Sequence, residues 1–254
     1  MTKPVVLITG ASAGLGVDFA RQLSADGSQL VLVARRKDRL DELAAELGNA
    51  RAVELDLAEP GAADKLMADV MAHDEHVDCL INNAGFGLSG TVAKLDGARQ
   101  RAMIDLNCGV LTELCHAVLP GMIERSRGGI LNVASTAAFQ PGPYSAVYYA
   151  TKAYVLSFTE ALHVELKKTG VHVSALCPGP TKTEFFKVAG YGEGNMLEKM
   201  AMASAPVVAA GLAGLARNQA VVIPGAVNKI GAQGHRLLPR SLLRQVAAMI
   251  KAAD

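Results

Sequence analysis

Apolar residues in this chain gather into short runs that recur from end to end, each followed by a longer stretch with helical patterning. The runs fall at 4–9, 29–34, 51–57, 76–82, 129–135, 171–177 and 220–224, and Val, Leu and Ile dominate them. Between the second and third, Leu40, Leu43, Ala44 and Leu47 follow the i, i+3, i+4, i+7 spacing of a helix laying one stripe on a sheet. Seven strands interleaved with helices predict an α/β fold: a doubly wound parallel sheet with helices on both faces. Ligands of such folds bind beyond the carboxyl ends of the strands. No repeat and no low-complexity linker interrupts the pattern, so a single domain over 1–254 is expected.

The first run passes directly into Thr-Gly-Ala-Ser-Ala-Gly-Leu-Gly at 9–16, which opens a helical stretch reaching about Ala25. Glycines at 10, 14 and 16 let the backbone turn tightly and approach a pyrophosphate, whose charge the following helix N-terminus accommodates. The spacing is not G-x-G-x-x-G, since three residues separate Gly10 from Gly14. A glycine cluster alone is more often only a turn. Its place between a first strand and a first helix makes Gly10, Ser12, Ala13, Gly14, Leu15 and Gly16 candidate cofactor-binding residues.

Composition narrows the picture only a little. Half of the 254 residues are apolar and 19% are charged, ordinary for a soluble globule, and a net charge of +1 gives no global attraction to nucleic acid. Cys79, Cys108, Cys115 and Cys177 include no Cys-x-x-Cys pair and lie in apolar runs, so neither a disulfide frame nor a zinc site is suggested. No Glu-bearing His-x-x-x-His helix offers a metal site either. The first apolar run is too short for a signal segment, and 201–216 falls short of a membrane span, so a cytoplasmic protein with reduced thiols is expected.

Candidate chemistry sits near position 150. Tyr148 and Lys152, if on one helix, share a face, and a nearby cation lowers a phenol's pKa toward a range useful for proton transfer. Ser135, thirteen residues earlier at the end of an apolar run, could hydrogen-bond the oxygen that Tyr148 protonates. That is a site for reducing a carbonyl. The Tyr-x-x-x-Lys spacing is weak by itself; Tyr144, Tyr149, Tyr154 and Tyr191 lack a lysine four residues on.

Taken together, Thr-Gly-x-x-x-Gly-x-Gly at 9–16, Asn-Asn-Ala-Gly at 82–85, the Ser135/Tyr148/Lys152 set and Pro-Gly-x-x-x-Thr at 178–183 resemble the short-chain dehydrogenase/reductase family in its single-domain, Rossmann-like form. The resemblance runs from about residue 4 to 224. It implies that Tyr148 is the general acid for reduction and base for oxidation, with Lys152 lowering its pKa and binding the nicotinamide ribose. It also implies that Ser135 holds the substrate oxygen and that Asn107 anchors a water chain to the lysine. Asn83, Ala84 and Gly85 would pass the adenosine ribose, with Asn83 as readily tying neighbouring strands together. Asp56, read as ending the third strand before Leu57, would contact the adenine amino group or else cap a helix. The segment from Pro178 and Gly179 would close over the nicotinamide, with Thr181 and Thr183 bonding the carboxamide or phosphates. Phe185, Phe186 and Gln140 would help wall the substrate pocket, 181–204 forming a lid.

Cofactor choice turns on the end of the second strand, where an acid binds the 2′-hydroxyl of NAD. Ala34, Arg35 and Arg36 stand there instead, and the planar fork of Arg35 suits a 2′-phosphate, so NADP is favoured over NAD. Residues 225–254 extend past the point where many relatives end. Ser241 could cap a helix with Leu242, Leu243, Val246 and Ile250 on one side and Arg240, Arg244 and Lys251 on another. This helix could pack over the domain or contact an anionic membrane. The tail argues for a homodimer, through the helices carrying Asn107 and Tyr148, over a tetramer. The leading expectation is an NADP-dependent oxidoreductase acting on a hydrophobic ketone or aldehyde and its alcohol. A 3-oxoacyl or lipid-chain reductase and a non-catalytic NADP sensor or scaffold are the alternatives.

Overall fold

A computed structural model describes residues 3–73, 75–192, 196–234 and 239–252. The seven apolar runs form one parallel sheet: β1 (Val5–Thr9), β2 (Gln29–Ala34), β3 (Ala50–Glu54), β4 (Cys79–Asn82), β5 (Gly128–Val133), β6 (Val171–Leu176) and β7 (Val221–Val222), in the order β3-β2-β1-β4-β5-β6-β7. The order reverses between β1 and β4, paired at Val6↔Cys79, Leu7↔Leu80 and Ile8↔Ile81, and the crevice for a ligand lies above that pair.

Consecutive strand residues feed opposite faces. Leu7, Val31, Leu80 and Ile130 belong to one core cluster, while their neighbours Ile8, Leu32, Ile81 and Leu131 belong to the other. This is why the runs are apolar without alternation: both faces are dry. Helices α1 (Leu15–Ala25) and α2 (Lys37–Leu47) cover one face, joined there by α9 (Ser204–Ala216). The other face takes α3 (Ala62–Ala72), α5 (Leu111–Glu124) and α6 (Ala146–Glu165). In α2, Leu40 and Leu43 are buried and Ala44 and Leu47 pack beside them, as the spacing predicts.

Helix α4 (Gly97–Ile104) runs through a π-helical turn at Asp105–Val110 into α5. The run 97–124 is long and apolar enough to cross a membrane, yet Leu111, Leu114, Cys115, Val118 and Met122 are part of the core. The remaining helices are α7 (Phe185–Ala189), α8 (Met196–Lys199), α10 (Ala226–Gly234) and α11 (Arg240–Ala252).

Two local expectations change. Strand β3 ends at Glu54, so Asp56 lies beyond the ladder in a turn, its Oδ1 accepting from Ala58 N at 3.0 Å. It caps no helix: Gly61 precedes α3. In the tail, the Pro239 carbonyl accepts from Leu242 N at 3.0 Å and Leu243 N at 3.2 Å, which places Ser241 inside the first turn of α11 and not at its cap. Among the described side chains of that helix, Leu243 and Ala247 are buried, while Leu242 is exposed. The side chains of Arg240, Val246, Ile250 and Lys251, and residues 193–195, 235–238 and 253–254 of the lid and tail, lie outside the described part.

Candidate active site

The glycine turn is built by backbone contact. Gly10 N and Ala11 N both donate to Val33 O, at 2.8 and 3.2 Å, and Gly10 takes φ +68°. A Cβ on Gly16 would run into the Gly10 carbonyl oxygen and lie 2.8 Å from Ala11 Cα and 2.9 Å from Asn83 Nδ2. Gly14, at φ +56°, precedes α1 without any side-chain cap, and the turn closes on its own backbone, Gly16 N donating to Ala13 O and Val17 N to Gly14 O at 3.2 Å each. Ser12 and Ala13 form the crest of the turn, and Leu15 packs toward the α1 side of the core.

Asn83 takes the strand-tying role. Its Nδ2 donates to Thr9 O at 2.9 Å and Gly10 O at 3.1 Å, while Thr9 Oγ1 accepts from Asn83 N and Ala84 N, each at 3.0 Å. The ends of β1 and β4 are thereby sewn together beneath the turn. One layer lower, Asn82 Nδ2 donates to Asn132 Oδ1 at 2.9 Å and Asn132 Nδ2 to Thr159 Oγ1 at 3.0 Å, a buried relay joining β4, β5 and α6. Sequence reasoning missed this relay; the polar Asn132 inside an otherwise apolar run was its one signal. Leu57 directs its side chain into the core, leaving only its backbone for the crevice.

Tyr148 and Lys152 both project from α6, but they are not directly paired. Lys152, 6% exposed, donates from Nζ to Val133 O at 2.7 Å, and Nζ lies 5.9 Å from the Tyr148 ring centre. Burial lowers the lysine pKa from 10.5 to about 8. Burial also raises the Tyr148 phenol above its ordinary 10, and the hydrogen bond to Ser135 only partly opposes this. Desolvation dominates the shift of the phenol, and the amine of Lys152, 5.9 Å from the ring centre, is not among the groups that act on it. Ser135 Oγ accepts from Ala137 N at 3.1 Å, capping the short 3-10 turn Thr136–Phe139, and the partly buried Gln140 follows.

Asn107 stands in the π-helical turn, 1% exposed, its side chain fully engaged. Nδ2 donates to Phe86 O and Thr151 Oγ1 at 3.0 Å each, and Oδ1 accepts from Phe86 N at 3.2 Å. A Cβ on Gly85 would sit 2.9 Å from Asn107 Oδ1 and 3.5 Å from Lys152 Nζ, so Gly85, Asn107 and Lys152 converge on one point.

The segment after β6 returns to the glycine turn and to Tyr148. Pro178 O accepts from Thr136 N at 2.8 Å, and Gly179 lies flat against Asn228 of α10, whose Nδ2 donates to Pro224 O at 2.9 Å. The tail thus braces this corner, a contact with no signature in the sequence. Thr181 Oγ1 is spent on Gly179 O at 2.9 Å; Thr183 Oγ1 accepts from Phe185 N at 3.2 Å, and its methyl faces Gly14. Phe185 lies over Tyr148, ring centres 5.3 Å apart, whereas Phe186 packs inward against Phe185 and Tyr191 at 5.9 and 5.7 Å.

Of the two arginines after β2, Arg36 is the organised one. It donates from Nε to Ser12 Oγ at 3.2 Å and from Nη1 to Glu184 Oε2 at 2.8 Å. Arg39, which the sequence had not suggested, donates to Glu184 Oε1 at 2.7 Å. Arg35 is 75% exposed and reaches only Asp56, at 3.7 Å.

A doubly wound sheet with a glycine turn and a polar cluster along one carboxyl edge defines a dinucleotide-dependent class of protein. A family profile described as short chain dehydrogenase matches residues 4–193. An uncharacterized oxidoreductase of Staphylococcus epidermidis is 36% identical over 208 residues, 82% of this chain and 90% of that protein. The NADP-dependent 3-hydroxy acid dehydrogenase YdfG of Shigella flexneri is 38% identical over 198 residues, 77% of this chain and 80% of its own. Among solved structures, a short-chain dehydrogenase from Sphingobium yanoikuyae in complex with NADPH superposes with TM-score 0.83 at 36% identity, covering 92% of this chain and 93% of that one. The chain belongs to the short-chain dehydrogenase family, and it is an oxidoreductase of that family.

Proposed function

We propose that the protein is an NADP(H)-dependent reductase that interconverts a hydrophobic ketone or aldehyde with its alcohol, with Tyr148 moving the proton. The observation that carries this reading is a half-buried Tyr148 hydrogen-bonded to Ser135, its phenol held above its ordinary range by desolvation, with Lys152 one turn on along the same helix. The residues fit a dinucleotide: Gly10 and Gly16 leave no space for a Cβ where a pyrophosphate has to approach, and Arg36 meets Ser12 where a ribose 2′-phosphate would lie. The NADPH-bound and NADP-dependent relatives agree with that cofactor. Bound NADPH supplies the hydride to the carbonyl carbon.

Ser135 and Tyr148 each hydrogen-bond the substrate oxygen and so take up charge developing there. Tyr148 then passes its phenolic proton to that oxygen; the product is the alcohol, and the phenolate is reprotonated from solvent. Burial keeps the phenol fully protonated beforehand, which suits an acid. The Lys152 ammonium stabilises the transient phenolate through a low-dielectric gap. Gly10, Ser12, Ala13, Gly14, Leu15, Gly16, Arg36, Asn83, Ala84, Gly85, Pro178, Gly179, Thr181 and Thr183 line the cofactor groove in this reading, with Arg35, Asp56 and Leu57 at its adenine end. Phe185 and Gln140 flank the substrate, and 181–204 serves as the lid of a single domain. Similarity to a 3-hydroxy acid dehydrogenase favours including 3-oxo acids among the substrates tested.

Association as a cytoplasmic homodimer belongs to the same reading. The face of α4 and α6 offers an apolar cleft lined by Ile104, Cys108, Ala146, Val147 and Ala150 for the contact. Tyr148→Phe removes the transferable proton with little change of shape. With NADPH and a panel of ketones, aldehydes and 3-oxo acids it should lose roughly 10²- to 10⁴-fold in kcat while NADPH binding persists. Undiminished turnover by this variant would refute the role given to Tyr148.

A further inference from the structure

We propose that Glu184 sets cofactor preference by acting as a built-in competitor for the 2′-phosphate of NADP(H). The inference rests on the reading of Arg36 as the phosphate ligand and adds an opponent to it. Two guanidinium groups, that of Arg36, which touches the glycine turn at Ser12, and that of Arg39, converge on one carboxylate, with Oε2 and Oε1 of Glu184 accepting at 2.8 and 2.7 Å. A carboxylate bridging two arginines has the charge and oxygen spacing of a bound phosphate edge. Ser12, whose Oγ and carbonyl accept from the same Arg36 at 3.2 and 3.4 Å, fixes the place as the crest of the turn. Of the other charges nearby, Arg35 lies 3.7 Å from Asp56 and Lys37 pairs with Asp41 at 2.6 Å, while Asp38 and Glu42 add negative charge beside Arg39. The pairing holds the Glu184 carboxyl down at about 2, so it is anionic at any working pH.

Glu184 is 148 positions from Arg36 and reaches it because its neighbours are anchored on either side. Thr183 rests on Gly14, and Phe185 rests on Tyr148. A 2′-phosphate must take over guanidinium N–H groups that Glu184 holds, whereas a 2′-hydroxyl displaces nothing. The carboxylate therefore lowers affinity for NADPH selectively and narrows its advantage over NADH. Exposed ion pairs of this kind are individually weak, so release of both corresponds to about a tenfold effect.

Titration calorimetry of the full chain with NADPH, NADH, adenosine 2′,5′-bisphosphate and adenosine 5′-monophosphate tests this. Glu184→Gln should tighten NADPH and the bisphosphate about tenfold and leave NADH and the monophosphate within about twofold. Weaker or unchanged binding of the bisphosphate, or an equal change for both nucleotides, overturns the proposal. Arg36→Ala separates the two levels of the argument. If it weakens NADPH while Glu184→Gln changes nothing, the competitor alone is wrong. If it leaves NADPH unaffected, the phosphate site is misassigned and the competitor falls with it.

Discussion

Lys152 offers a quantitative check on the interior of the site. Its amine is buried beneath Tyr148 with only Val133 O as a hydrogen-bond partner, and burial brings its pKa from 10.5 to about 8. Below the folded value the lysine is charged in both folded and unfolded chains, and the folded chain bears the whole cost of desolvating it. Above the unfolded value it is neutral in both and the cost is gone. Its contribution to stability therefore rises with pH across the window from about 8 to 10.5. At about 1.4 kcal/mol per pH unit, the rise is roughly 3 kcal/mol. Lys152→Met abolishes the titration but leaves Val133 O unpaired, a loss of about 1–3 kcal/mol that does not vary with pH. The diagnostic quantity is thus the change with pH in the stability difference between wild type and variant, in which the Tyr148 titration cancels. The chain has no tryptophan, so urea denaturation is best followed by far-ultraviolet circular dichroism, at intervals from about pH 7 to about pH 11. Wild type should gain on the variant by roughly 3 kcal/mol over that range. A difference flat to within about 1 kcal/mol would mean that the ammonium is hydrated, and the account of its depressed pKa would be wrong.

Two further outcomes follow from packing. Gly16→Ala drives a methyl into the Gly10 carbonyl and against Asn83 Nδ2, so NADPH fluorescence titration should show binding lost, and melting should show a destabilisation of roughly 1–3 kcal/mol. Gly97→Ala, where nothing lies within 4 Å, should leave both unchanged. Asn132→Ala takes the shortest acceptor from the buried Asn82 amide, leaving it Leu111 O at 3.4 Å and Cys115 Sγ at 3.3 Å, and should cost roughly 1–2 kcal/mol in urea denaturation. Combined with Asn82→Ala it should cost clearly less than the sum, because the two side chains share one hydrogen bond.

The fold was legible because its driving pattern is local. The inner strands, dry on both faces, read as apolar runs, while the edge strand β3, only half-buried and carrying Arg51 and Glu54, is legible through its place in the alternation with helices. The margins of the strands were not legible, since hydrophobicity outlasts pairing: Leu55 and Leu57 pack against the core beyond the last ladder residue of β3. At the far edge, β7 has a single neighbour and pairs at only two positions, although the apolar run is longer. The Tyr148/Lys152 spacing correctly placed both residues on one helix, but spacing carries no information about solvent. Whether an amine acidifies a phenol depends on solvation, and here, with Lys152 buried and Tyr148 half-buried, desolvation pushes each toward its neutral form. Asn107 was found by resemblance; the π-helical turn around it was not, because its residues keep an ordinary helical pattern.

The arginines show where reading along the chain has to yield to reading across it. At the end of β2 the sequence lacks the acid that would mark an NAD enzyme, and that absence correctly directs attention to a phosphate. Yet the folded protein does place a carboxylate there, delivered from the segment after β6 and shared between Arg36 and Arg39. Two guanidinium charges less one carboxylate leave the cluster at +1, still attractive to a phosphate but less so than the sequence at β2 implies. Removing Glu184 restores the full +2. Under the Glu184 proposal, cofactor preference is set by the balance between a local pair of arginines and a distant acid, and the residue that supplies the acid sits one position before the phenylalanine covering Tyr148.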